Sequence, residues 1–148
     1  MKKARGKKRK LRMIEQRLIE ATNGFPQTFY NEVHVVKLPA SQAFTEALRP
    51  RESARIARFL LDRANVLLQQ KPHDDYKIVV LLFPNDMWYS QVVLFEHRCV
   101  QDDFFTGKLA TGDWHEEQVT EKLSSSHWSV RQFTEVEQQQ TILCYIER

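Results

Sequence analysis

The stretch Tyr76-Lys77-Ile78-Val79-Val80-Leu81-Leu82-Phe83-Pro84-Asn85-Asp86 decides how the rest of the chain is read. Residues 78–83 are apolar without interruption, too short a run for a helix and rich in β-branched side chains. Such a run predicts a strand buried on both faces, and Pro84-Asn85-Asp86 predicts the turn that closes it. Residues 88–96 then read as a second strand, antiparallel to the first across that turn. Just upstream lies the clearest helical pattern, over about 50–70. Ile56, Phe59, Leu60, Ala64, Leu67 and Leu68 make one apolar stripe, with Arg51, Arg55, Arg58 and Asp62 on the opposite side. Pro50 suits the first helical position, and Pro72 ends the pattern.

Further out the signals weaken. Residues 32–38 read as a strand closed by Pro39, after which Ser41 can cap a short helix with Phe44, Ala47 and Leu48 inward. A first helix over about 7–22 follows from the spacing of Leu11, Ile14, Leu18 and Ala21, with Asn23-Gly24 as its stop. Downstream, 128–136 and 141–146 read as a closing hairpin. Between the strands, 100–105 reads as a short helix and 107–113 as a loop. Helices fill the first half and strands the second. The expected architecture is α+β: a mostly antiparallel sheet with about three helices packed on it, as a single pair of layers.

At 148 residues, 42% hydrophobic and 11% aromatic, the chain is long and apolar enough to bury a core, which excludes a disordered protein. Cys99 and Cys144 are too few for a disulfide framework, and no apolar run reaches 18 residues. A reducing cytoplasm is the expected compartment. The net charge of +3 conceals an asymmetry. Residues 1–12 hold eight of the 22 basic residues and no acid, which leaves 14 bases against 19 acids, a net of −5, in the remainder. The expected organisation is a basic, flexible tail over 1–12 and one globular domain over 13–148.

That tail carries the strongest functional signal. Lys2, Lys3, Arg5, Lys7, Lys8, Arg9, Lys10 and Arg12 form a candidate nucleic-acid arm. If all eight met phosphates on duplex DNA, log K would fall with log salt at a slope of about −7. The bland alternative is a solvated tail. Arg63 falls inside the apolar stripe of the long helix, so it either snorkels, forms a structural ion pair, or recognises an anion or an interface. Trp114 and Trp128 flank an acidic region, where they read as core residues or as candidate contacts for a basic partner protein.

Other patterns carry less. His97-x-Cys99 has no matching pair among His34, His73, His115 and His127, so no metal site is expected, and no cofactor motif occurs. His115-Glu116-Glu117 starts like a zinc-protease helix, but Val119 stands where the second histidine belongs. Asp74-Asp75, Asp102-Asp103 and Glu116-Glu117 are neighbours in sequence, which does not make carboxylates converge. Ser90 and Gln91 interrupt an apolar strand, and the expected reason is a side-chain hydrogen bond that fixes strand pairing.

The basic start, Phe25-Pro26 with Phe29-Tyr30, the long helix, the apolar strand and Trp88-x-Ser90-Gln91-Val92-x-x-Phe95 together resemble a bacterial family known as domain of unknown function 3916. The resemblance covers nearly the whole chain. It implies a bacterial source and a single domain, and brings no activity, cofactor or catalytic residue. The function expected from these readings is a non-catalytic protein-interaction module, which should show an exposed apolar or aromatic patch. The alternatives are a nucleic-acid-associated protein acting through the tail, and a hydrolase whose site assembles only in three dimensions.

Overall fold

In a computed structural model, residues 2–30, 32–97, 106–119 and 123–148 are described, apart from the side chains of 2–4. The apolar run forms β2 (Lys77–Leu82), and every one of its residues is buried. Of the other strands, β1 is Val33–Lys37, β3 is Gln91–Phe95, β4 is Trp114–Glu117, β5 is Trp128–Glu135 and β6 is Thr141–Glu147. They form a six-stranded sheet in the order β1-β3-β2-β6-β5-β4. Every adjacent pair is antiparallel. Val80 of β2 stands between Val92 of β3 and Tyr145 of β6. β2 is therefore central, which is why its sequence lacks the polar alternation of a half-exposed strand.

The two faces of the sheet bury different side chains, because residues along a strand alternate. Ile78, Val80 and Leu82 point toward the helices, where Ile56, Leu60, Ala64 and Leu67 of α3 (Pro50–Gln70) meet Leu11, Ile14 and Leu18 of α1 (Lys2–Ala21). Val79 and Leu81 belong to a second cluster with Val93, Phe95, Trp114, Phe133, Ile142 and Cys144. The fold is α+β with an antiparallel sheet, and both sheet faces carry core.

The long helix has the expected bounds. Pro50 occupies its first position, and Glu52 accepts the Arg49 backbone N–H at 2.7 Å to close its N-terminus. Ser41 stands at the N-cap of α2 (Gln42–Glu46), yet its hydroxyl makes no capping bond there. α1 begins five residues earlier than the periodicity places it. Lysine, arginine and alanine are good helix formers. Distant residues also hold its first turns. The Lys7 ammonium reaches Glu52 at 2.9 Å and donates to the Ala47 carbonyl at 2.8 Å, while Lys10 lies 5.3 Å from the Phe44 ring centre. The helix crosses residue 12 without a break and stops at Asn23-Gly24, where Gly24 takes φ +134°.

Two other boundaries differ from expectation. Residues 88–96 are a strand only from Gln91, because Met87–Tyr89 form a 3₁₀ turn capped by Asp86, whose carboxylate accepts the Trp88 N–H at 3.0 Å. Ser90 is buried and accepts the Phe83 N–H at 3.1 Å, the pairing bond expected of it. Residues 106–110 are helical although 107–113 were expected to form a loop, and β4 was not anticipated. The helix expected over 100–105 lies outside the described residues.

Candidate functional site

One concavity on the helical side is a groove of about 450 Å³ between α1 and the chain that links β1 to α2. One wall is a row on α1: Lys10, Met13, Ile14 and Arg17. Helical geometry stacks residues at i, i+3, i+4 and i+7 on one side. The row flanks the buried stripe of Leu11, Ile14 and Leu18, so Ile14 is core while Met13 stays 45% exposed. The other wall is Leu38-Pro39-Ala40-Ser41, folded tightly by a bond from Ala40 N–H to the Leu38 carbonyl at 2.9 Å. Phe44 forms the floor from α2.

Trp88 closes one end and is 41% exposed. It is placed by the Asp86 cap, and Asp86 also accepts from the Thr45 hydroxyl at 3.3 Å, which ties the 3₁₀ turn to α2. Tyr89, next on the turn, is exposed as well and packs edge-on to Phe83. The lining residues thus supply apolar surface, two cations and the Ser41 hydroxyl, and include no carboxylate or histidine. Methionine, tryptophan and arginine are side chains enriched at protein interfaces. Chemically, the arrangement suits binding.

The basic residues of the N-terminal segment go to different places. The side chains of Lys2 and Lys3 lie outside the described residues. Lys7 and Lys10 lie against Glu52 and Phe44, as above. Arg5, Lys8, Arg9 and Arg12 are exposed on α1. On α3, Arg51 and Arg58 are exposed, and Arg55 pairs with Glu15 of α1. The Arg49 backbone N–H, followed by Lys7, holds the Glu52 carboxyl below its ordinary range.

Arg63 has a structural assignment. Its Nε donates to the Thr22 hydroxyl at 2.7 Å and its Nη2 to the Thr22 carbonyl at 3.3 Å. Thr22 is fully buried just past the end of α1 and itself donates to the Leu18 carbonyl at 2.6 Å. The guanidinium therefore sits at the negative end of the helix, where a cation is favoured. Arg63→Ala should lower stability by about 1.5–3 kcal/mol, the range for hydrogen bonds to a charged group. Arg63→Lys should restore only part, because an ammonium cannot reproduce the two-pronged geometry. Urea unfolding of both variants checks this, and an unchanged midpoint for Arg63→Ala would refute the capping role.

Trp114 and Trp128 are both buried. Trp114 packs on Phe133 with ring centres 5.2 Å apart, and Trp128 donates from Nε1 to Asn65 of α3 at 2.9 Å. Among the described residues the exposed aromatics are others, Trp88 and Tyr89 with Tyr30. Trp88 reads from the sequence as part of a strand, and its exposure was missed. The usable signal was Asp86-x-Trp88, a capping spacing directly after Pro84-Asn85.

The groups considered for chemistry are dispersed. His73 Nδ1 lies 3.5 Å from Asp75 on one exposed turn. His97 follows β3 and His115 is on β4, four inter-strand spacings apart across the sheet, about 19 Å. Glu116 is held by two bonds from Arg131, at 2.8 Å each, which keep its carboxyl below the ordinary range. Glu117 is shifted the same way by bonds from Thr134 and Gln132, so both acids serve the β4–β5 pairing. The Cys144 thiol is buried, and that burial raises its pKa, which suppresses the reactive thiolate. Cys99 and Asp102-Asp103 lie outside the described residues. Among the described residues no three histidine, cysteine or acidic side chains stand close enough to hold a metal, and no helix is long and apolar enough to cross a membrane.

Residues 15–145 match the family described as Protein of unknown function (DUF3916). The chain belongs to the DUF3916 family. The resemblance carried by Phe25-Pro26 and the Trp88–Phe95 segment is thereby confirmed, and it spans the fold from α1 to β6. No curated protein and no solved structure matches this DUF3916 chain. Arg17, Phe44 and Trp88 of the groove fall inside the family match, whereas Lys10, Met13 and the basic segment precede its first residue.

Proposed function

We propose that this DUF3916 protein is a non-catalytic interaction module that seats a partner protein in the groove between α1 and the β1–α2 connection. The observation that carries the reading is the exposed Met13–Trp88 surface over Phe44, flanked by Lys10 and Arg17. Large apolar side chains left this open around a concavity mark a contact surface. Tryptophan and arginine beside such a pocket are the residue types that dominate binding energy at protein interfaces.

A second reading has its own support. Arg5, Lys8, Arg9 and Arg12 are exposed on one helix, and Arg51 and Arg58 on the helix beside it. That distribution suits nucleic-acid phosphates.

One experiment separates the two. A photo-cross-linking benzoylphenylalanine replaces Trp88 in the full-length chain, expressed in the source organism. The expected product is a discrete, nuclease-resistant protein adduct that disappears with Met13→Asp. The same group at Glu137, exposed on the β5–β6 turn, should give none. Equal yields at the two positions, no adduct at either, or a nuclease-sensitive product at position 88 would overturn the partner-protein reading.

A further inference from the structure

We infer that the groove takes an acidic, amphipathic helix of the partner protein. This rests on the reading above and specifies what it binds. Lys10 and Arg17 lie seven residues apart on α1, two helical turns, so their Cα atoms are about 10 Å apart along one side. Met13 and Ile14 fill the interval. The row Lys10, Met13, Ile14, Arg17 therefore has the i, i+3, i+4, i+7 form of a helix-packing seam, in which Lys10, Met13 and Arg17 are exposed and Ile14 is buried between them.

The charge on that seam is one-signed. The groove lining holds two cations and no acid, and among the described residues neither Lys10 nor Arg17 has a carboxylate partner. Lys10 is exposed, and its ammonium lies 5.3 Å from the centre of the Phe44 ring. A segment that buries apolar side chains on Met13, Phe44 and Trp88 brings its flanking residues up to both cations. Acids there meet Lys10 and Arg17, whereas bases meet like charge in a desolvated site. In a helical segment the matching pattern is two acids seven residues apart with apolar residues between them. An extended strand would reach the same 10 Å in about three residues and leave only one side chain for the apolar floor.

The test selects 16-residue peptides from a randomised display library on the full-length chain and measures the winners by fluorescence anisotropy. The expected winners carry Asp or Glu at two positions seven apart with apolar residues at the third and fourth positions between. Lys10→Glu with Arg17→Glu should weaken them at least tenfold, as should Trp88→Ala. Arg51→Glu with Arg58→Glu, on α3, should leave affinity within twofold. Replacing both peptide acids by lysine should restore binding to the Lys10→Glu, Arg17→Glu chain. Circular dichroism shows whether that double variant folds, and if it does not, the peptide-side swap against wild type still reads the charge term.

Winners that are neutral or basic, or that ignore the charge reversal while still losing affinity with Trp88→Ala, overturn the acidic helix and leave the groove reading standing. Winners indifferent to Trp88→Ala as well, or no winners at all, overturn both. Duplex DNA that competes for the same variants would assign the cations to phosphate instead.

Discussion

Glu147→Ala should cost about 3–5 kcal/mol, a large part of the roughly 5–15 kcal/mol that a domain of this size has in total. Glu147 ends β6, and its side chain is 7% exposed. One carboxylate oxygen pairs with Lys71, the residue that caps α3, and lies 3.7 Å from Lys77 at the start of β2. The other accepts the Ile78 backbone N–H at 3.2 Å. Lys71 also donates to the Tyr76 carbonyl at 3.3 Å. The two lysine side chains are 12% and 9% exposed. Removing the acid leaves two ammonium groups side by side with little access to water, and an orphaned backbone donor. The loss therefore exceeds the value of any one bond. Glu147→Gln should cost nearly as much, since it keeps the shape and not the charge. The triple change Glu147→Leu, Lys71→Met, Lys77→Met should recover most of the stability, because replacing a whole buried ion cluster by apolar side chains is often neutral. Urea unfolding followed by circular dichroism measures all three. A loss below about 1 kcal/mol for Glu147→Ala, the value typical of a surface pair, would show that the cluster is effectively solvated.

What could be read from the sequence depended on how local its cause is. α3 was legible because proline opens it and its apolar stripe recurs from Ile56 to Leu68. β2 was legible because burial on both faces leaves no polar residue between Ile78 and Phe83. The β5–β6 hairpin followed from two strand patterns with a polar turn between them. By contrast, the start of α1 depends on Glu52, Ala47 and Phe44, all more than 30 residues away. β4 has the sequence Trp-His-Glu-Glu, with only Trp114 buried. It is a strand because Arg131, Gln132 and Thr134 of β5 bond its two acids, an arrangement absent from its own four residues. The groove escaped for the same reason. Trp88 faces solvent because a 3₁₀ turn replaces the first residues of the expected strand, and that turn is held by a cap and by Thr45 of α2. The Glu147 cluster joins residues up to 76 positions apart, which no periodicity can report.

Phe133→Ala should lower stability by about 3–5 kcal/mol, and unevenly across the sheet. Phe133 is fully buried on the sheet face away from α3, and pairs with Ile142 on β6 and Glu116 on β4. Its ring packs on Trp114 at 5.2 Å, while the Arg131 guanidinium lies 5.1 Å from its centre. Deleting the ring forfeits the buried apolar area and opens a cavity that a sheet cannot easily close. It also strips one of the contacts that hold Trp114, the one buried residue of β4. Among the described residues β4 is the last strand of the sheet and hydrogen-bonds only to β5. Its amides should therefore lose hydrogen-exchange protection well before those of β2, which has strands on both sides. Phe133→Leu, which keeps much of the apolar volume, should cost less and leave β4 largely protected. The comparison separates two roles. If the ring served only general burial, β4 and β2 would lose protection in parallel. If it clamps the edge strand through Trp114, β4 opens first. A Phe133→Ala chain that is destabilised by less than about 1 kcal/mol would contradict a packed second core, since deletions of this size in a core are far more disruptive.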